Sequence, residues 1–242
     1  MVGVVLLYVG AVLIVNGIWL IGVAYAAAVA SRTPAMETAA VGSTASGGYA
    51  GAGRGLADEA AAGAELGGEP VVAQARRAAE GMPFFIQNRE IAILNIFTGF
   101  IGVAIAIAYI VVGGTARIPA LGRPSILTGG IILLFAFTYL WVAYNQYANA
   151  GGRALGWFSL FVAITVIYAG VWQVQNTPDS NTADLWLAGN YFAWAILWGM
   201  FWALLTLELP IARITGWVAI IEGGGTAWAL AIALLYGKLA FA

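Results

Sequence analysis

The 242-residue chain is 62 % hydrophobic and only 9 % charged, with a mean hydropathy of +0.90, so lipid is its main solvent and it reads as an all-α integral membrane protein. Zero Cys and zero His exclude disulfides, thiolate or imidazole metal sites, His-ligated haem and Cys or His catalysis. A net charge of −1, with the few charges between apolar segments, gives no handle for nucleic acid, and no cofactor or metal is expected.

Met1 to Ser31 carries no charged side chain, and its apolar core from Val4 to about Ala27 is too long for the apolar stretch of a signal peptide, so residues 1–30 form a first membrane helix. Asn16, followed by Gly17, sits near its middle and is either a ligand group or an interhelical hydrogen-bond partner. Residues 31–86 are rich in Ala, Gly and Ser with too few large apolar side chains for a core, so they form a flexible insertion. Within it, Val71 to Glu80 reads either as an amphipathic surface helix or as solvated linker.

Residues 87–242 hold five more helices, which with the first make one channel-sized bundle. The second runs from about Ile91 to Val112, with Thr98, Gly99 and Gly102 available for close packing. After a link from Gly113 to Ser125, the third covers Ile126 to about Tyr147, and the fourth Leu155 to about Val174. A polar stretch from Gln175 to Asp184 precedes the fifth, about Leu185 to Leu207, where Trp194, Trp198 and Trp202 recur every four residues and stay within about 80° of one face. Trp198 lies too deep for an interfacial belt, which leaves core packing or a pore wall.

The sixth segment, Thr215 to Tyr236, carries Glu222 about eight residues, or about 12 Å, from its first end. An ionised group at that depth costs about 3 kcal/mol on insertion scales, so it must face other helices or a wet cavity. No Lys or Arg lies inside any apolar segment, so no intramembrane salt bridge explains it. A neutral carboxyl that merely holds helices together is one reading, and a hydrated passage is the other.

Six helices put both termini on one side. Arg32, Arg54, Arg76, Arg77, Arg89, Arg153 and Arg213 fall on one face, against Arg117, Arg123 and Lys238 on the other, so the termini are expected outside the inner membrane and the 31–86 loop in the cytoplasm. Asn95 to Phe100, Gly156 to Phe161 and Gly216 to Ile221 begin helices two, four and six with a similar rhythm of small and large residues, which reads as three helix hairpins. In that frame Glu222 stands where Ile101 and Val162 stand.

Leu6 to Leu13 with Asn16-Gly17, Phe135 to Trp141, Trp157 to Ile164, Trp198 to Trp202 and Gly216 to Gly223 together resemble the urea channel and amide transporter family (AmiS/UreI), nearer its amide-transporter branch. The resemblance covers all six helices. It implies a six-helix channel in each protomer for urea, formamide or acetamide, a ring-shaped homohexamer and lipid in the central hole. It also implies that Glu222 is the pore glutamate, that Trp198 and Trp202 form an aromatic constriction, and that Phe137 and Trp141 face them. The acid-activated branch gates with outer-loop histidines, which this chain lacks, and the 31–86 insertion has no counterpart there.

The chemistry supports such a passage independently. Flat, neutral, strongly hydrogen-bonding solutes need flat walls and a few donors and acceptors, which paired aromatics, indole N–H groups and Glu222 supply. An intramembrane enzyme would need a nucleophile and base that are not in evidence, and a structural or sensory membrane protein would be a dry, sealed bundle.

Overall fold

The computed structural model describes residues 1–32, 85–115, 119–177 and 181–241, so most of the 31–86 insertion, with its segment Val71 to Glu80, lies outside the described residues. Among the described residues six helices follow in chain order: α1 (Val2–Arg32), α2 (Asn88–Thr115), α3 (Pro119–Ala148), α4 (Arg153–Asn176), α5 (Thr182–Leu205) and α6. The last is a composite, α-helical over Ala212–Glu222, π-helical over Gly223–Trp228 and α-helical again over Ala229–Leu235. All six contain an apolar span long enough to cross a membrane.

The links are shorter than the sequence implied. The stretch from Gly113 to Ser125 is mostly helix, because α3 already begins at Pro119, whose missing N–H costs nothing in a first turn. The polar stretch before α5 is consumed similarly: Asn181 caps the helix by accepting the Asp184 N–H at 3.0 Å, and Gln173 of α4 donates to the Asp184 carboxylate at 2.7 Å. At the opposite end α5 stops at Leu205, and Glu208 turns the chain with φ +55° while pairing with Arg153. That pair is largely exposed on the Arg153 side, so it orients the turn more than it stabilises it.

Packing runs in chain order around a ring. The closest partnerships are α2 with α3, α4 with α5 and α1 with α6, and looser contacts join α1 to α2, α3 to α4 and α5 to α6. The chain thus closes on itself as three close pairs, α2–α3, α4–α5 and α6–α1, of which the first two are hairpins and the third joins the chain's last helix to its first, where the repeat implied a third hairpin. The sequence repeat marks the seam of each one. Asn95, Gly156 and Gly216 are buried, as are Thr98, Ser159 and Ala219, and Gly102, Ala163 and Gly223, whereas Phe100, Phe161 and Ile221 are exposed. Small residues at spacings of three and four let backbones approach, the main source of helix association when lipid removes the hydrophobic drive.

The α6–α1 seam is the tightest test of this. A Cβ on Gly216 would meet the Gly17 carbonyl oxygen at 2.7 Å and Ile21 Cγ1 at 2.8 Å, while one on Gly223 would meet the Gly10 carbonyl oxygen at 2.9 Å. Backbone cannot step aside as a side chain can. Gly216→Val is therefore expected to cost about 1–3 kcal/mol and to lower the thermal midpoint of detergent-solubilised protein. Gly189→Ala in α5, where a Cβ meets nothing within 4 Å, should leave that midpoint unchanged.

Candidate functional site

Glu222 ends the first α-helical part of α6 and is buried, with 7 % of its surface exposed, and its Oε2 has no hydrogen-bond partner. Among the described residues three other buried polar atoms share that condition: Thr98 Oγ1 in α2, Tyr139 Oη in α3 and Trp202 Nε1 in α5. With Glu222 they come from four of the six helices. Glu222 adjoins Gly223, which meets Gly10 and Ile14 of α1; Thr98 is one turn from Asn95, which bonds Asn16; and Leu140, beside Tyr139, packs on Gly99. Trp202 lies one turn from Trp198, whose indole reaches Thr138. These contacts put Thr98 and Tyr139 at similar depth near Glu222, while Trp202 lies one turn beyond Trp198, on the side away from the Trp194 that bonds Thr226.

The walls nearby are aromatic. Trp198 is 1 % exposed, donates Nε1–H to Thr138 Oγ1 at 3.4 Å, and packs edge-on to Phe135, with centroids 4.9 Å apart, and to Phe201 at 6.0 Å. Phe135 also stands edge-on to Trp194 at 5.2 Å. A narrow apolar cleft descends between the N-terminal halves of α1, α3 and α5, past Val5, Ile132 and Tyr191, and ends on Phe135, Trp194 and Trp198. Its volume of about 40 Å³ accommodates about three or four waters at the minimum of about 10–15 Å³ each.

Two expected members lie elsewhere. Phe137 is 48 % exposed on the outer surface of α3 and does not face the helix-five indoles; two residues along an α-helix rotate about 200°, so Phe135 faces inward and Phe137 outward. Trp141 packs on Phe158 of α4, with centroids 5.6 Å apart, rather than on Trp198 or Trp202. The inward aromatics of α3 are Phe135 and Tyr139, which have the same four-residue spacing as the pair read from the sequence. Trp202 is half-buried and its ring leans on Trp157 of α4 at 6.1 Å.

Asn16 takes the first of its two readings no further: its side chain is joined to Asn95 by reciprocal hydrogen bonds of 3.1 and 2.8 Å, and Asn95 also donates to the Ile91 carbonyl. That arrangement is an interhelical tie between α1 and α2. Sequence reasoning passed over Asn95, Asn190 and Thr226. The rule that drew attention to Glu222, that a polar group deep in an apolar helix needs a reason, applied equally to Asn95 and Asn190. Among the described residues no group of three or more Asp or Glu converges in a way that would hold a metal ion.

The family model described as the AmiS/UreI family transporter matches residues 82–238. This chain belongs to the AmiS/UreI family. Among AmiS/UreI proteins, the acid-activated urea channel of Helicobacter pylori (strain ATCC 700392 / 26695) is 38 % identical over 102 residues, 40 % of this chain and 52 % of that protein. A putative amidate substrates transporter protein of Mycolicibacterium smegmatis is 34 % identical over 155 residues, 63 % of this chain and 67 % of that protein. The chain thus aligns with about half the length of the urea channel and two thirds of the amidate transporter. In three dimensions the match extends over nearly the whole of both chains: the closed-state structure of the Helicobacter pylori urea channel superposes with a TM-score of 0.64 at 25 % identity, covering 99 % of this chain and 100 % of that one.

Proposed function

We propose that each protomer passively conducts small neutral amides, urea, formamide and acetamide among them, along the axis of its own six-helix ring. The supporting observation is that Thr98, Tyr139, Trp202 and Glu222, from four helices, each present a buried polar atom with no hydrogen-bond partner among the described residues. Leaving such a group unsatisfied costs about 1–3 kcal/mol, and native folds keep few of them. Such groups from four helices supply donors and acceptors to a passing solute that has shed its water. A sealed structural or sensory bundle would instead pair them internally.

Trp198 and Phe135, in edge-to-face contact, form the aromatic constriction, with Trp202 and Tyr139 one turn beyond them on the same helices, so the α3 contribution is Phe135 and Tyr139 in place of Phe137 and Trp141. No fixed cation or anion pair stands in this path among the described residues, which makes it a poor route for ions. In the membrane the chain lies with termini outside and residues 31–86 in the cytoplasm, by its seven-to-three distribution of basic residues. The exposed aromatics Phe97, Phe100, Trp157 and Phe161 face lipid and neighbouring protomers of a homohexamer.

Stopped-flow light scattering of proteoliposomes challenged with urea, formamide and acetamide tests this. Solute entry well above that of empty vesicles is expected; entry equal to theirs overturns the reading. Rates should change little between pH 5 and 8, because the chain has no His and an unperturbed His is the side chain that titrates there. Any dependence that does appear should reside in Glu222 and vanish in Glu222→Gln while conduction survives. A steep rise on acidification that persists in Glu222→Gln would reveal a gate elsewhere.

A further inference from the structure

The helix that carries Glu222 changes its winding immediately beyond it, and the change is tied to α5 by side chains. Over Gly223–Trp228 the hydrogen-bond register widens, as when the Ala229 N–H bonds the Gly224 carbonyl. Gly223 is glycine because α1 lies against it, but Gly224 and Gly225 have no heavy atom within 4 Å of where a Cβ would sit. Packing does not require those two glycines, whereas a wide turn gains from their backbone freedom. The turn ends in three hydrogen bonds: Asn190 Nδ2 donates to the Thr226 carbonyl at 2.9 Å, Trp194 Nε1–H donates to Thr226 Oγ1 at 2.9 Å, and Thr226 Oγ1–H donates to the backbone carbonyl of Glu222. Asn190 and Trp194 are both almost fully buried, so these bonds are shielded from competing water.

We infer that Thr226, held by Asn190 and Trp194, is a positioning residue that sets where the Glu222 carboxyl stands in the passage, and so determines how the protein ranks its solutes. The relay begins in the aromatic constriction, since the Trp194 ring packs on Phe135. It passes through one hydroxyl and ends on the residue that offers the carboxyl. Releasing that hydroxyl frees a glycine-rich wide turn to relax toward ordinary α-helix, which rotates the segment about its axis.

This inference rests on the transport reading, so the test keeps the two apart. Urea and acetamide entry are measured in parallel for the wild type, Thr226→Val, Thr226→Ser and Trp194→Phe, each normalised to incorporated protein. Thr226→Val, which keeps the shape and loses the hydroxyl, should shift the urea-to-acetamide ratio by about three- to tenfold, the scale of one buried hydrogen bond. Thr226→Ser should restore the wild-type ratio. Trp194→Phe should shift it in the same direction, and Thr226→Val with Trp194→Phe together should shift it no further than Thr226→Val alone, because the indole acts through the hydroxyl. Amide hydrogen exchange over residues 223–228 should quicken in Thr226→Val and not in Thr226→Ser, and Trp194→Phe carries the same expectation should the valine variant fail to assemble. A wild-type ratio in Thr226→Val, or independent effects in the double variant, overturns this inference while leaving transport intact. Wild-type vesicles that admit neither solute overturn both.

Discussion

Glu222→Leu should reduce urea and amide entry into proteoliposomes by about ten- to a hundredfold while leaving the protein assembled, and Glu222→Gln should keep a substantial flux. Leucine fills a similar volume and removes the acceptor, so a solute at the level of Thr98 and Tyr139 loses its hydrogen-bonding partner from α6. The loss of one partner to a desolvated polar solute is worth about 1–3 kcal/mol, which is the predicted range of rates. Glutamine retains a carbonyl acceptor in the same place and adds donors. Assembly should survive because, among the described residues, Glu222 holds no salt bridge and its Oε2 no partner, so no interaction is lost there, and replacing an unsatisfied polar group by an apolar one is neutral or stabilising. A correctly assembled Glu222→Leu protein that conducts like the wild type would reduce Glu222 to a packing residue.

The second large effect is on selectivity. Trp202→Ala should raise entry of acetamide and larger amides relative to urea by about tenfold, because it removes a large ring one turn beyond the Trp198 constriction and opens room that the passage denies bulky solutes. The fold should tolerate the change, since Trp202 is half-buried, its indole N–H bonds nothing, and its ring contact is Trp157, itself 58 % exposed. Phe135→Ala should erode selectivity likewise, whereas Phe137→Ala, on the outer surface of α3, should leave the solute series unchanged. The pair separates the inward face of α3 from the outward one directly. A solute series unaltered by Trp202→Ala and Phe135→Ala in assembled protein would assign both rings to packing.

What the chain alone determined rests on local, context-free energies. Twenty or so apolar residues must span a bilayer wherever they occur, so the six helices were legible, and a carboxyl deep inside one of them is costly in any arrangement, so Glu222 was legible too. The helix-pair seams showed as well, because small residues at Gly156 and Gly216 repeat for a packing reason that is itself periodic. Which way each helix turns was another matter. In a soluble protein the polar face marks the outside, but lipid is as apolar as a core, and Phe135 and Phe137 look alike to any measure of hydrophobicity. Only the packing of α3 against Trp194 and Trp198 chose between them. The pairing of α6 with α1, the meeting of Asn16 with Asn95 across 79 residues, and the tie from Asn190 to Thr226 across 36 are likewise properties of the closed ring. A hydrogen bond between distant helices has no signature in either partner's neighbourhood, because what selects it is the absence of water when the two arrive at the same depth.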